Sequence, residues 1–158
     1  MASSGRDEPA VARFVERFAL VLTEAGIPRM PARVFATLLA IEDGKATAAG
    51  LAEALGVSPA AISGAVRYLD QVGMIIKARD PGERRDHYEV TDDLWYEAFG
   101  NRDKLMRTWI GALADGVAAV GPHTHAGERL ATTQRFIEFL LTEMVTLMER
   151  WREQERSR

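Results

Sequence analysis

The sequence predicts a mainly α fold with a small β-hairpin wing (α+β), a winged helix-turn-helix with helical dimerisation extensions. Three observations carry this. Apolar residues recur at helical spacing over most of the chain. Two of the helical stretches are short and meet at a turn containing Gly56. Two short β-prone runs follow at once, on either side of Asp80-Pro81-Gly82.

The elements follow in order. Residues 1–9 hold Ser3, Ser4, Gly5 and Pro9 and are expected to form a disordered leader. Val11, Phe14, Val15, Phe18, Val21, Leu22 and Ala25 then share one helical stripe, which Gly26 and Pro28 stop. Pro31 suits the first turn of a second helix, with Val34, Phe35, Leu38, Leu39 and Ile41 inside and Asp43-Gly44 at its end. Residues 10–44 are therefore read as N-terminal helices for dimerisation and support. Thr47 caps a two-turn helix with Leu51, Ala52 and Leu55 on its apolar face, and Gly56 breaks it. Ala52 and Gly56, four apart, are expected where two helices cross closely. Ser58 as cap and Pro59 at the first helical position start the next helix, whose buried side is Ile62, Ala65, Val66 and Leu69. Met74-Ile75-Ile76 and Tyr88-Glu89-Val90 read as the two strands of the wing, so residues 45–90 form the winged helix-turn-helix. Beyond the cap region Thr91-Asp92-Asp93 a long stripe runs from Leu94 to Val117, with a bend expected at Gly100 or Asn101 and a stop at Gly121-Pro122. A last helix from about Gly127 carries Leu130, Ile137, Leu141, Met144, Met148 and Trp151. Residues 91–158 are read as a C-terminal helical dimerisation region.

Composition excludes several chemistries. With no cysteine there is no disulfide framework, Cys-ligated zinc, iron–sulfur cluster or thiol nucleophile. No nucleophile–base pair, P-loop or dinucleotide-binding glycine pattern is present, so the chain is not read as an enzyme and no cofactor is expected. His123, His125 and His87 invite a metal reading. No carboxylate lies at a ligand spacing and Gly121-Pro122 marks a loop, so solvated loop histidines are the better account. No apolar stretch has bilayer length and the N-terminus lacks the core of a signal peptide, so a cytoplasmic location is expected. The net charge is −3, and residues 45–90 hold six basic and six acidic side chains. Any nucleic-acid contact must therefore use a few placed cations.

Geometry selects those contacts. With Ile62, Val66 and Leu69 turned inward, the opposite side of the helix presents Ala60, Gly64, Arg67 and Gln71, flanked by Ala61, Ser63 and Tyr68. Small residues let a helix enter a major groove about 12 Å wide. Gly64 costs a helix about 1 kcal/mol against alanine, which close approach to DNA or tight packing against another helix would each explain. Arg67 suits a guanine or a phosphate, or is a solvated surface cation. Arg84 and Arg85 in the hairpin suit a minor groove or phosphate, or a merely solvated turn; an Asp nearby would brace a guanidinium there.

At this point the sequence resembles the MarR superfamily of bacterial transcriptional regulators, and within it the GbsR-like branch. The residues that carry the resemblance are Gly26 to Met30 with Ala32-Arg33-Val34, Leu51 to Ser58, Ile62-Ser63 with Tyr68-Leu69, and the wing from Pro81 to Tyr88. The resemblance implies a homodimer on a pseudo-palindromic operator, dimerised through its terminal helices, often with ligand-modulated repression. By position it implies Ser58, Ala60, Ser63, Gly64 and Arg67 in the major groove, with Arg84 or Arg85 as the wing contact. The even charge of residues 45–90 departs from that pattern.

The outer helices need a partner. A two-fold interface of Phe14, Phe18, Ile137, Leu141, Met144, Met148 and Trp151 would hold two reading helices about one DNA turn apart, although an intramolecular bundle would also cover these stripes. An effector pocket is conceivable where Trp95, Tyr96, Met106 and Trp109 approach the second helix near Met30 and Phe35; aromatic and Met residues at this spacing also serve as core. The function expected is a sequence-specific, double-stranded-DNA-binding regulator, a repressor acting as a homodimer and modulated by a small-molecule effector. The alternative is a winged-helix protein-interaction module that does not bind DNA.

Overall fold

The computed structural model describes residues 5–158, apart from the side chain of Asn101. It divides into two compact units, one ending at Leu94 and the other Trp95–Arg158. Residues 1–4 of the expected leader lie outside the described residues. The rest of it is shorter than expected: α1 (Glu8–Glu24) already includes Glu8 and Pro9, because the Asp7 carboxylate accepts from the Ala10 amide at 3.0 Å and Pro9 fits the first turn.

In the first unit α2 (Arg29–Ala40) is the central helix. Ala32, Val34, Phe35, Ala36 and Leu38 on it are all inaccessible to solvent. It packs between α1 and α4 (Pro59–Gln71), whose Ile62, Ala65, Val66 and Leu69 complete the core. The Thr47 hydroxyl accepts from the Gly50 amide at 3.1 Å and starts α3 (Ala48–Leu55). Gly56 ends α3 in the left-handed conformation, φ 64°, with open space where a Cβ would stand. Its role is therefore to cap the helix, and the expected close crossing at this position is not found. Ser58 caps α4 as the sequence predicts, its hydroxyl accepting from the Ala61 amide at 3.2 Å.

The wing differs from its prediction in two ways. Its strands are β2 (Ile76–Ala78) and β3 (His87–Glu89), because Ile75 is pulled into the core at 3% exposure and leaves the hairpin to begin one residue later. A third strand, β1 (Lys45–Thr47), makes the sheet antiparallel in the order β1-β3-β2, with Ala46 and Lys77 both opposite Tyr88.

The second unit is an antiparallel hairpin of α5 (Leu94–Val120) and α6 (His125–Arg156). α5 runs unbroken through Gly100 and Asn101, where a bend was expected. The Thr124 hydroxyl accepts from the Gly127 amide at 3.0 Å, so α6 starts at His125 and that histidine is helical, not a loop residue. At the turn the backbone carbonyl of Gly121 lies against the Cα of Gly127, and a Cβ on Gly127 has no room. Farther along, Gly116 faces Leu130, and at the open end the Arg152 guanidinium lies 4.3 Å from the centre of the Tyr96 ring. Among the described residues no single helix is long and apolar enough to cross a membrane.

Candidate nucleic-acid interface

The buried stripe of α4 is one-sided, so it fixes which residues face out. Ser58, Ala60, Ser63, Gly64 and Arg67 are exposed, and Ala61 is half-buried at the edge. Nothing lies within 4 Å of where a Gly64 Cβ would project. Packing among the described residues therefore does not explain this glycine.

The even charge of the winged unit resolves into paired and unpaired groups. Asp86 binds Arg79 at 2.7 Å and Lys77 at 3.3 Å, and Lys45 lies 3.5 Å from Asp80. The hydrogen bonds from Arg79 and Lys77 hold the Asp86 carboxyl below its usual range. Among the described residues Arg67, Arg84 and Arg85 make no ion pair, and the three other basic side chains of residues 45–90 all do. The free cations are thus the three that reading-helix and wing geometry select. The brace expected at the tip does exist, but Asp86 braces Arg79 and Lys77 rather than Arg84 or Arg85. His87 is buried in β3, with Nε2 3.2 Å from a Glu89 oxygen and Nδ1 3.9 Å from Asp80. Lys45 and β1 were not identified as parts of the wing from sequence; three residues without alternation give no strand signal of their own.

Of the other candidates, Phe35 is fully buried in the first unit and Met30 packs against the same core. Trp95 and Trp109 are about half exposed, and Tyr96 and Met106 line a cavity within the α5–α6 hairpin. Of the expected dimer residues, Ile137 and Leu141 are buried inside the hairpin itself, at 7% and 9% exposure, and offer a partner little surface. Met144 and Met148 line the cavity. Phe14, stacked on Phe18 with ring centres 5.6 Å apart, and Trp151 are exposed. Beside the buried stripe of α6 runs a second, of Phe136, Leu140, Leu147 and Trp151, mostly open to solvent.

Comparison with known proteins addresses both units. A MarR family model matches residues 25–86, and a model described as an MmpR5-like MarR family transcriptional regulator matches residues 93–154. No curated protein matches the chain in sequence. A crystal structure of a transcriptional regulator superposes with a TM-score of 0.82 at 21% identity, covering 92% of this chain and 99% of that one. It shows that the fold is that of a known regulator. MepR, a transcription regulator of the Staphylococcus aureus multidrug efflux pump MepA, covers 86% of this chain and 94% of its own at 16% identity. AdcR, the adhesin competence repressor of Streptococcus pyogenes, covers 87% and 96% at 18% identity. Their TM-scores of 0.42 and 0.39 are too low to bear on this site. The winged stretch and the helical stretch are each accounted for by a MarR-family model, and the chain belongs to the MarR family of transcriptional regulators.

Proposed function

We propose that this regulator acts in the cytoplasm as a homodimeric repressor that reads a pseudo-palindromic operator with α4 and grips it with the wing. The observation that carries the site is the set of three unpaired arginines, one on the exposed side of α4 and two on the wing. Arg67 reads a guanine edge or fixes a phosphate, and Ser58, Ala60, Ala61, Ser63 and Gly64 let the helix sit deep in the major groove. Arg84 and Arg85 take phosphates or the adjacent minor groove. Phe14, Phe18, Trp151 and the exposed stripe of α6 join the two protomers, and a small-molecule effector modulates binding. The motif residues from Gly26 to Met30 and from Pro81 to Tyr88 support a place in the GbsR-like branch.

Selection of bound duplexes from a random library tests this reading. A recovered inverted repeat, bound with a strong salt dependence by the wild type and lost in Arg67→Ala, is the expected result. Recovery of no sequence, with duplex binding absent even at low salt, would favour a winged unit that docks a protein instead.

A further inference from the structure

His87 is the one histidine of residues 45–90, and its side chain is nine-tenths buried in β3. Thr47 and Ala78 stand opposite it on the neighbouring strands and carry no charge. Its charged neighbours are carboxylates. Nε2 lies 3.2 Å from Oε2 of Glu89, two residues along the same strand, and Nδ1 lies 3.9 Å from Oδ2 of Asp80 at the hairpin turn. Lys45 of β1 holds that same Oδ2, at 3.5 Å. Asp86, next to His87 in sequence, is already taken by Arg79 and Lys77. Asp80 is thus a single acceptor within reach of two groups, and the lysine is the closer.

We infer that His87 is a proton-operated switch of the winged unit's charge, whose imidazolium draws Asp80 away from Lys45. An imidazole is the side chain that changes charge between about pH 5 and 8. A neutral ring that donates from Nε2 to Glu89 presents a lone pair, not a proton, to Asp80. The second proton goes onto Nδ1, the remaining nitrogen, and turns that contact into a charge-assisted hydrogen bond. Glu89 and Asp80 then flank the ring on both nitrogens, so the buried charge is paired as it forms. While the ring is neutral, the six basic and six acidic groups of residues 45–90 balance. Once it is protonated the unit carries a net charge of +1, and Lys45 shares its partner. Each protomer then attracts phosphate more strongly as the pH falls. The inference rests on the regulator reading only for its effect on DNA; the exchange of partners at Asp80 belongs to the chain alone.

Carbon-detected titration of the Asp80 carboxyl in the full chain, without DNA, tests the exchange. Its resonance is expected to step together with that of the His87 ring, and the step to be absent in His87→Gln, whose amide still offers a donor to the carboxylates. Fluorescence anisotropy with a mixed-sequence duplex at fixed ionic strength tests the consequence. The wild type is expected to bind roughly threefold more tightly at about pH 6 than at about pH 8, and His87→Gln equally at both. Replacing the exposed His123 and His125 by Gln together is expected to leave the wild-type ratio unchanged. Asp80→Asn, at a position about half exposed, adds the same unit of charge without a proton, and is expected to bind at the higher pH as the wild type does at the lower. An Asp80 carboxyl with no step across the range in which imidazoles titrate, or a pH ratio that survives in His87→Gln, would overturn the inference. Absence of duplex binding by the wild type at either pH would count against the regulator reading alone, and the carboxyl titration still decides the switch.

Discussion

Asp86 and Arg79 face each other across the two arms of the wing, 2.7 Å apart, and the same carboxylate holds Lys77. Both cations hold this carboxyl below its usual range of about 3.8. A lowered value in the folded state means that the contribution to stability is complete above the unfolded value and disappears as pH falls through the lowered one. The wing is therefore expected to stay tied throughout the neutral range and to loosen only in strong acid. A carbon-detected titration of the Asp86 carboxyl should give a midpoint under 3.8; a midpoint above it would mean that the pairs do not persist in solution. Asp86→Asn should also release two cations and steepen the salt dependence of duplex binding.

Arg67 separates reading from gripping. Arg67→Ala should cost about 1–3 kcal/mol on the preferred site and relax the preference at one base pair. Competition against a panel of single-base operator variants checks it. A uniform loss across the panel would assign Arg67 to a phosphate.

Removing Arg84 and Arg85 together should weaken binding on every sequence and lower the salt slope by about 2, with the melting temperature unchanged. Both side chains are exposed and unpaired among the described residues, so the fold has nothing to lose with them. A slope equal to the wild type's would take the wing tip out of the interface.

Gly64 and Gly127 should respond to alanine in opposite ways. Around Gly64 there is open space, so Gly64→Ala should stabilise the protein by up to about 1 kcal/mol through helix propensity while weakening operator binding. At Gly127 the added methyl collides with the Gly121 carbonyl, and the turn of the hairpin must open. Gly127→Ala should destabilise by roughly 1–3 kcal/mol, read as a fall in the melting temperature. Tighter operator binding by Gly64→Ala would remove the close approach from the proposal.

The dimer surface can be located by two charges. Leu141→Glu places a carboxylate inside the hairpin and should unfold the second unit, since an unpaired buried charge costs several kcal/mol. Leu147→Glu, at a position 55% exposed, should leave the hairpin folded and give monomers in sedimentation. A dimeric Leu147→Glu protein would place the interface on another face, with exposed Trp109 on α5 the first alternative.

These two leucines also show where sequence ends as a guide. Periodicity finds an apolar stripe on α6, but burial against α5 and burial against a second protomer demand the same residue types. Ile137 and Leu141 went to the first use, while the neighbouring Phe136 and Leu147 were left facing solvent. Caps were legible at Thr47 and Ser58 because each satisfies an amide three residues away, a wholly local interaction, whereas the same interaction at Thr124 was missed and the last helix was expected only from about Gly127. Asp7 is equally local, yet it was hidden by the polar residues around it. β1 was not legible, since Lys45-Ala46-Thr47 is a strand only by virtue of its distant partner β3. The exposed side of α4 followed from its buried side, but which of the six basic residues were free required the ion pairs themselves.

Those ion pairs bear on how the protein finds its site. In the proposed interface, three arginines unpaired among the described residues of each winged unit would let two protomers neutralise about six phosphates, for a salt slope of roughly 5. Attraction to arbitrary duplex is then modest, and much of it vanishes within the ordinary range of cellular salt. A repressor built this way leaves random DNA quickly and lingers only where the groove matches α4. Its occupancy of a promoter is set more by the letters of the operator than by the bulk of the chromosome competing for it.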